Sequence, residues 1–217
     1  FTGTNTFLYA TNVVVSGLLT HAPNTATSNV DGVWYPDNRL QIVAASNVTV
    51  AAAGKIDVDG KGYQCRRGAV NGYGPGGTNT YIDGGTATGS GYGGRGGAVS
   101  PQYESRLGGP TYGSVSAPAD PGSGGANSAF NFGGGAVSIV AGGAVRVDGT
   151  ITADGVFKSE HGAGAGSGGS VFITCATFSG TGLVSADGGE SSRRNLTGGG
   201  GGGRVAVVYT DEAAQSA

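Results

Sequence analysis

The sequence predicts an all-β chain built as a parallel β-helix, and three observations predict it. The stretches GGAV, GGSV and GGRV end at Val137, Val171 and Val205, two equal spacings of 34 residues. Each Gly-Gly pair opens an alternating run: VSIVAG at 137–142, VFITCA at 171–176 and VAVVY at 205–209. A second strand-like run then ends in Asp-Gly, as TITADG at 150–155, LVSADG at 183–188 and, upstream, KIDVDG at 55–60. A unit this short cannot bury its apolar face alone, but stacked copies can, each strand pairing with its equivalent in the next coil. Parallel strands normally need helical crossovers. No segment here has helical periodicity with caps, and a solenoid is the architecture that does without them. A β-sandwich is the alternative, since short strands with regular turns also fit it.

Taken in order, FLYATNVVVSGLLTHAP (7–23) reads as a first, degenerate coil, and LQIVAASNVTVAAAGKIDVDG (40–60) as the next. Period-two alternation places Leu40, Ile42, Val48, Val50, Ile56 and Val58 inward. In later coils the inward set is Val137, Ile139, Val145, Val147, Ile151 and Ala153, then Val171, Ile173, Cys175, Phe178, Leu183 and Ala186, then Val205 and Val207. The Gly-Gly corners let backbone pass close to backbone. In TGGGGGGRVAVVYT (197–210) the final pair holds the register. The four glycines at 198–201 read as an insertion at a corner, the other reading being a flexible linker.

Between the coils, residues 61–133 form a Gly/Tyr-rich insert within a single domain spanning 1–217. Tyr63, Tyr73, Tyr81, Tyr92, Tyr103 and Tyr112 recur in a glycine matrix with few aliphatics. Such segments suit extended three-fold helices packed side by side, and the absence of a strict Gly-X-Y period excludes collagen. The rings either stack on sugars as a ligand platform or glue the insert to the solenoid.

Bulk composition narrows the class. With Lys+Arg 12 against Asp+Glu 14, the chain lacks the basic surplus that phosphate neutralisation demands. Only 12% of residues are charged, so Ser, Thr, Asn and Gly form much of the exterior, a composition common in secreted and surface proteins. No run approaches the roughly 18 apolar residues of a membrane span. A start at Phe1 reads as a processed chain or a fragment.

The stretches GKGY (60–63), GPGG (74–77), GYGGRGG (91–97), PGSGG (121–125), GGGAV (133–137) and GSGG…ADGG…GGGGGGR (166–204), with VSGLLTH (15–21) as an opening coil, resemble the glycine-rich, pectin-lyase-like parallel β-helix segments of large bacterial secreted and cell-surface proteins. The resemblance covers about residues 13 to 209. It implies a right-handed β-helix in an extracellular setting, within stalk-like or adhesive proteins, and carries no catalytic signature.

Candidates for chemistry are few. His21 sits at a turn, where its ring would cap backbone groups; Glu160-His161 is a lone adjacent pair. GSGYGG (89–94) matches GxGxxG, as a chain with 47 glycines will by chance, without the strand-before and helix-after context. The best lyase-like group is Lys61, Arg66 and Arg67 with Asp57 and Asp59 near Tyr63, against a solvated, salt-bridged edge. DVDGKG (57–62) opens like an EF-hand but has Gly68 where the twelfth-position glutamate belongs. Asp59, Asp154 and Asp187 hold one place in three units. They form either a corner ladder able to take calcium, with Asp57 beside it, or ordinary Asp-Gly turns. No other cofactor is expected. Cys65 and Cys175 permit a disulfide, though the inward phase of Cys175 suits a buried thiol. NVT (47–49) and NLT (195–197) match the glycosylation sequon.

Strand edges at both ends of a solenoid need caps or partners, and the C-terminal tail shows no evident capping helix. The partner is either more of a longer parent chain or a second copy, whose head-to-tail contact would build a filament. The expected function is non-enzymatic: a building block of an extracellular fibre, stalk or matrix. The alternatives are a carbohydrate-binding adhesin using the exposed tyrosines, and a polysaccharide lyase or hydrolase centred on Arg66 and Arg67.

Overall fold

The computed structural model describes residues 2–3, 7–65, 72–77, 81–82, 86–99, 107–126, 130–157, 163–191 and 197–215. Three parallel sheets dominate it. The first holds β1 (Phe7–Ala10), β4 (Leu40–Ala44), β9 (Ala136–Ala141), β12 (Ser170–Cys175) and β15 (Arg204–Tyr209), adjacent in that order. In the second, β2 (Val13–Val15), β5 (Val48–Val50), β10 (Ala144–Val147) and β13 (Thr177–Ser179) follow one another. The third stacks β3 (Leu18–Leu19), β6 (Lys55–Asp57), β11 (Thr150–Thr152) and β14 (Leu183–Ser185). Each circuit of the chain adds one strand to each sheet, which is a parallel β-helix and not a sandwich. Among the described strands, only β7 (Tyr81–Ile82) and β8 (Thr86–Ala87) pair antiparallel.

Register follows the sequence period. Val137 lies beside Val171, and Val171 beside Val205. Leu40 takes the place beside Val137, so the long insert leaves the stack intact. Alternation then stacks like on like: Ile42, Ile139 and Ile173 form one inward ladder, each fully buried. Burying each such side chain contributes about 1.5–3 kcal/mol. Leu183 departs from expectation. It pairs with Thr150 and points outward, 55% exposed, while its neighbour Val184 pairs with Ile151 and packs on the core. Val205 keeps the inward register but is half exposed, because β15 is the last strand of its sheet.

The glycine-rich segments form a second body against the coils, and its hydrogen bonds have period three. In the six-glycine run, the N–H groups of Gly198 and Gly201 donate to Ala87 and Ser90. Those of Gly200 and Gly203 donate to Gly189 and Ala186. The carbonyls of Gly198 and Gly201 accept from Ala165 and Gly168, and those of Gly199 and Gly202 from Gly97 and Gly94. Residues three apart therefore address the same neighbouring segment, and four segments bond to the run. Residues 121–125 repeat the pattern, with Gly122 and Gly125 donating to Gly134 and Asn131. This is the geometry of extended three-fold helices packed side by side. The run at 198–203 is thus a bonded, partly buried member of a bundle, neither a corner insertion nor a linker.

Close packing makes glycine obligatory where the body meets the coils. A Cβ on Gly169 would fall under 3.0 Å from the backbone of Gly134 and Gly135. Buried serines complete the hydrogen bonding. Ser123 Oγ accepts from the Gly76 N–H (2.9 Å), Ser167 Oγ from the Ser123 N–H (2.8 Å), and Ser90 Oγ donates to the Ser123 carbonyl (2.7 Å).

The tail supplies a cap that composition did not reveal. Helix α1 (Glu212–Gln215) lies against β13, and the Gln215 amide bonds both backbone groups of Phe178, accepting from its N–H and donating to its carbonyl at 2.6 Å each. No helix among the described residues is long and apolar enough to cross a membrane.

Candidate functional site

Residues 22–39 leave the first coil as an excursion, and local chemistry shapes it. At its neck two buried asparagines clasp each other: Asn24 Nδ2 donates to the Asn38 carbonyl (3.1 Å), and the Asn38 N–H to Asn24 Oδ1 (2.8 Å). Asp37 accepts from both the N–H and the hydroxyl of Thr25. At its tip Val30 and Val33 exchange two backbone bonds across Asp31 (φ 51°) and Gly32 (φ 80°). Two successive positive φ angles are the signature of a type I′ hairpin turn, which Asp-Gly favours.

The returning limb carries Trp34 onto the glycine-rich body. Its ring meets Tyr63 edge-on (5.4 Å, 64°) and Tyr73 at a tilt (6.2 Å, 42°). An open groove of about 470 Å³ lies between limb and bundle, lined by Thr27, Ser28, Asn29, Trp34, Tyr73 and the glycines 72, 74 and 77. The floor is anchored, since the Tyr73 N–H donates to Gln64 and its carbonyl accepts from Gly124. Gly74, at φ 101°, leaves room for the Tyr63 ring, which a Cβ would strike at 2.7 Å.

The tyrosines divide by role. Tyr63 and Tyr92 are buried (1% and 0% exposed) and serve as glue, so neither is an exposed sugar platform. Burial pushes the Tyr63 phenol up, with nearby Asp120 adding to the effect, and raises Tyr92 to about 12. Tyr112 is half-buried against Tyr92 (4.5 Å); its hydroxyl donates to the Pro121 carbonyl (2.6 Å) and receives Ser123 Oγ (3.0 Å). Arg204 lies over the Tyr92 ring at 5.5 Å. Of the described side chains among the six, Tyr73 lines the groove. Tyr81 stands in β7 with its side chain outside the described residues, as are Tyr103, Arg66, Arg67, Glu160 and His161.

The aspartates stack. Asp59 Oδ1 accepts the Asp154 N–H (2.7 Å), and Asp154 Oδ1 the Asp187 N–H (2.6 Å). Ser185 also donates to Asp154, and Asp57 Oδ1 accepts the Asp59 N–H (3.1 Å). Each carboxylate in this corner ladder, up to Asp154, is thus committed to the backbone of the same turn or the next coil. Burial raises the Asp59 carboxyl above its ordinary value. No group of three or more metal-ligating side chains gathers among the described residues. Lys61 shares a shallow groove with Leu18, Thr20, Asp57 and Asp59.

No disulfide joins Cys65 to Cys175: both are buried thiols. Cys175 packs in the solenoid core, where burial raises its thiol, whereas Cys65 bridges to Gly72 in the bundle. His21 does cap backbone. Its Nε2 accepts the Ala136 N–H (3.3 Å), so Nδ1 carries the proton and donates to the Ala22 carbonyl (2.7 Å). Burial holds this histidine down at about 4.

Sequence reasoning overlooked Trp34, though signals existed: it is the chain's one tryptophan and directly follows a Val-Asp-Gly-Val hairpin signature. No protein-family model, curated protein or solved structure matches the chain.

Proposed function

We propose that the chain is a structural segment of an extracellular fibre, stalk or matrix. The observation that carries this reading is the double use of backbone for cohesion. Parallel strands stack coil on coil, and three-fold glycine helices hydrogen-bond on several sides at once. Such a body resists deformation along and across its axis without needing many charged side chains. The low charged content and the resemblance to bacterial surface segments support an extracellular setting. The aspartates most suited to acid–base work are tied to backbone amides, which supports a non-catalytic role.

The edge formed by β1, β2 and β3 is the surface for a further coil, from a longer parent chain or from a second copy. Negative-stain electron microscopy across a concentration series tests the latter. Regular filaments would support end-to-end stacking, and dispersed particles at every concentration would exclude self-assembly by this chain alone. Cleavage of any polysaccharide by the purified chain would overturn the structural reading itself.

A further inference from the structure

We propose that the groove between the 22–39 excursion and the glycine-rich body is a binding site for a neutral saccharide. Every described side chain that lines it is uncharged: two hydroxyls (Thr27, Ser28), one amide (Asn29) and two aromatic rings (Trp34, Tyr73). That set matches a pyranose, whose C–H faces are apolar and whose rim carries hydroxyls that both donate and accept. The volume of about 470 Å³ falls within the usual range for small-ligand sites. It is also open to solvent rather than enclosed, as a chain of sugars requires.

The site is built before any ligand arrives. Tyr63 is itself buried and holds Trp34 edge-on, while the backbone of Tyr73 is bonded on both sides within the bundle. The Asn24–Asn38 clasp fixes the excursion's neck, and the type I′ turn fixes its tip. Rigid rings on an anchored floor lose little freedom on binding. An anionic sugar finds no cation among the described lining residues. A polyproline helix would also dock on aromatics, but the hydroxyl and amide rim favours the more polar ligand. The inference is independent of the structural role, since a stalk segment can carry such a site.

One tryptophan makes the test direct, because tryptophan emission, excited selectively over tyrosine, reports Trp34 alone. The intact chain is titrated with cellohexaose, xylohexaose and mannohexaose, and with trigalacturonate and decaproline as competitors of other chemistry. A saturable emission change with at least one neutral hexasaccharide is expected. Tyr73→Ala should weaken it by about tenfold or more. Trp34→Phe, read by calorimetry, keeps a ring against Tyr63 and should retain part of the affinity, whereas Tyr9→Ala, distant on β1, should change nothing. Circular dichroism matching the parent confirms that each variant folds. No response to the neutral sugars up to about 10 mM, binding unchanged in a folded Tyr73→Ala, or binding of only decaproline or trigalacturonate would each overturn the proposal.

Discussion

His21 shows how one side chain can join two coils and set a pH limit. Its neutral ring bridges Ala22 and Ala136, residues more than a hundred positions apart. Unfolded, the ring titrates near 6.5; folded, near 4. Above pH 6.5 it is neutral in both states and exerts no pH dependence. Below that, the unfolded chain takes up the proton first, so stability falls as pH drops from 6.5 towards 4, by about 3 kcal/mol in total. Urea unfolding at stepped pH should show this slope, and His21→Gln should flatten it. Asp59, whose carboxyl is raised, pulls the other way at acid pH, so the difference between parent and variant is the diagnostic quantity. Glycines provide a second contrast. Gly169→Ala forces a methyl into the backbone of Gly134 and Gly135 and should destabilise by about 1–3 kcal/mol or more. Gly202 has no atom within 4 Å of its would-be Cβ, so Gly202→Ala should stay within about 0.5 kcal/mol of the parent. Equal effects in thermal unfolding would contradict the bundle geometry.

At the scale of elements, the strands were legible and the cap was not. Alternation and a repeat of fixed length specify which residues face inward, and Ile42, Ile139 and Ile173 obey. Leu183 misled because LVSADG places Leu and Val side by side, and a short apolar pair does not reveal which member faces the core. Helix α1 is one turn long, too short for any periodic signal, and its function lies in a single amide. Gln215 occupies the two backbone groups that β13 would offer a neighbouring strand. Gln215→Ala frees that edge and forfeits two hydrogen bonds, a loss of about 1–3 kcal/mol. The expected outcome is greater self-association of the variant in sedimentation velocity at high concentration. Identical sedimentation of parent and variant would show that Gln215 does not guard the edge.

Across the whole molecule, solenoid and glycine-rich body meet between adjacent residues: Gly134 bonds to Gly122 and Ser167 of the body, and Gly135 to Val58 and Ser170 of the coils. Tyr63, Tyr92 and Tyr112 fasten the bundle from within and require neutral phenols. Unfolded tyrosine loses its proton near 10, whereas Tyr92 folded holds it to about 12. The tyrosine contribution to stability is therefore complete below pH 10 and declines as pH rises through the interval above it. Tyrosinate absorbance should lag the unfolded-chain curve, then rise together with loss of the circular dichroism signal. Titration of all the tyrosines near 10 with the fold intact would refute the buried placement. What the sequence determined by itself was the coil: period-two alternation and equal unit length are local properties, and together they dictate both face and register. Only the tertiary structure decided which glycine segments neighbour which, and that Trp34 meets Tyr63 and Tyr73. The physical reason is that glycine bears no side chain to pattern, so its partners are chosen by backbone hydrogen bonds between distant segments. The groove, likewise, exists only where an excursion from one coil reaches the insert of another.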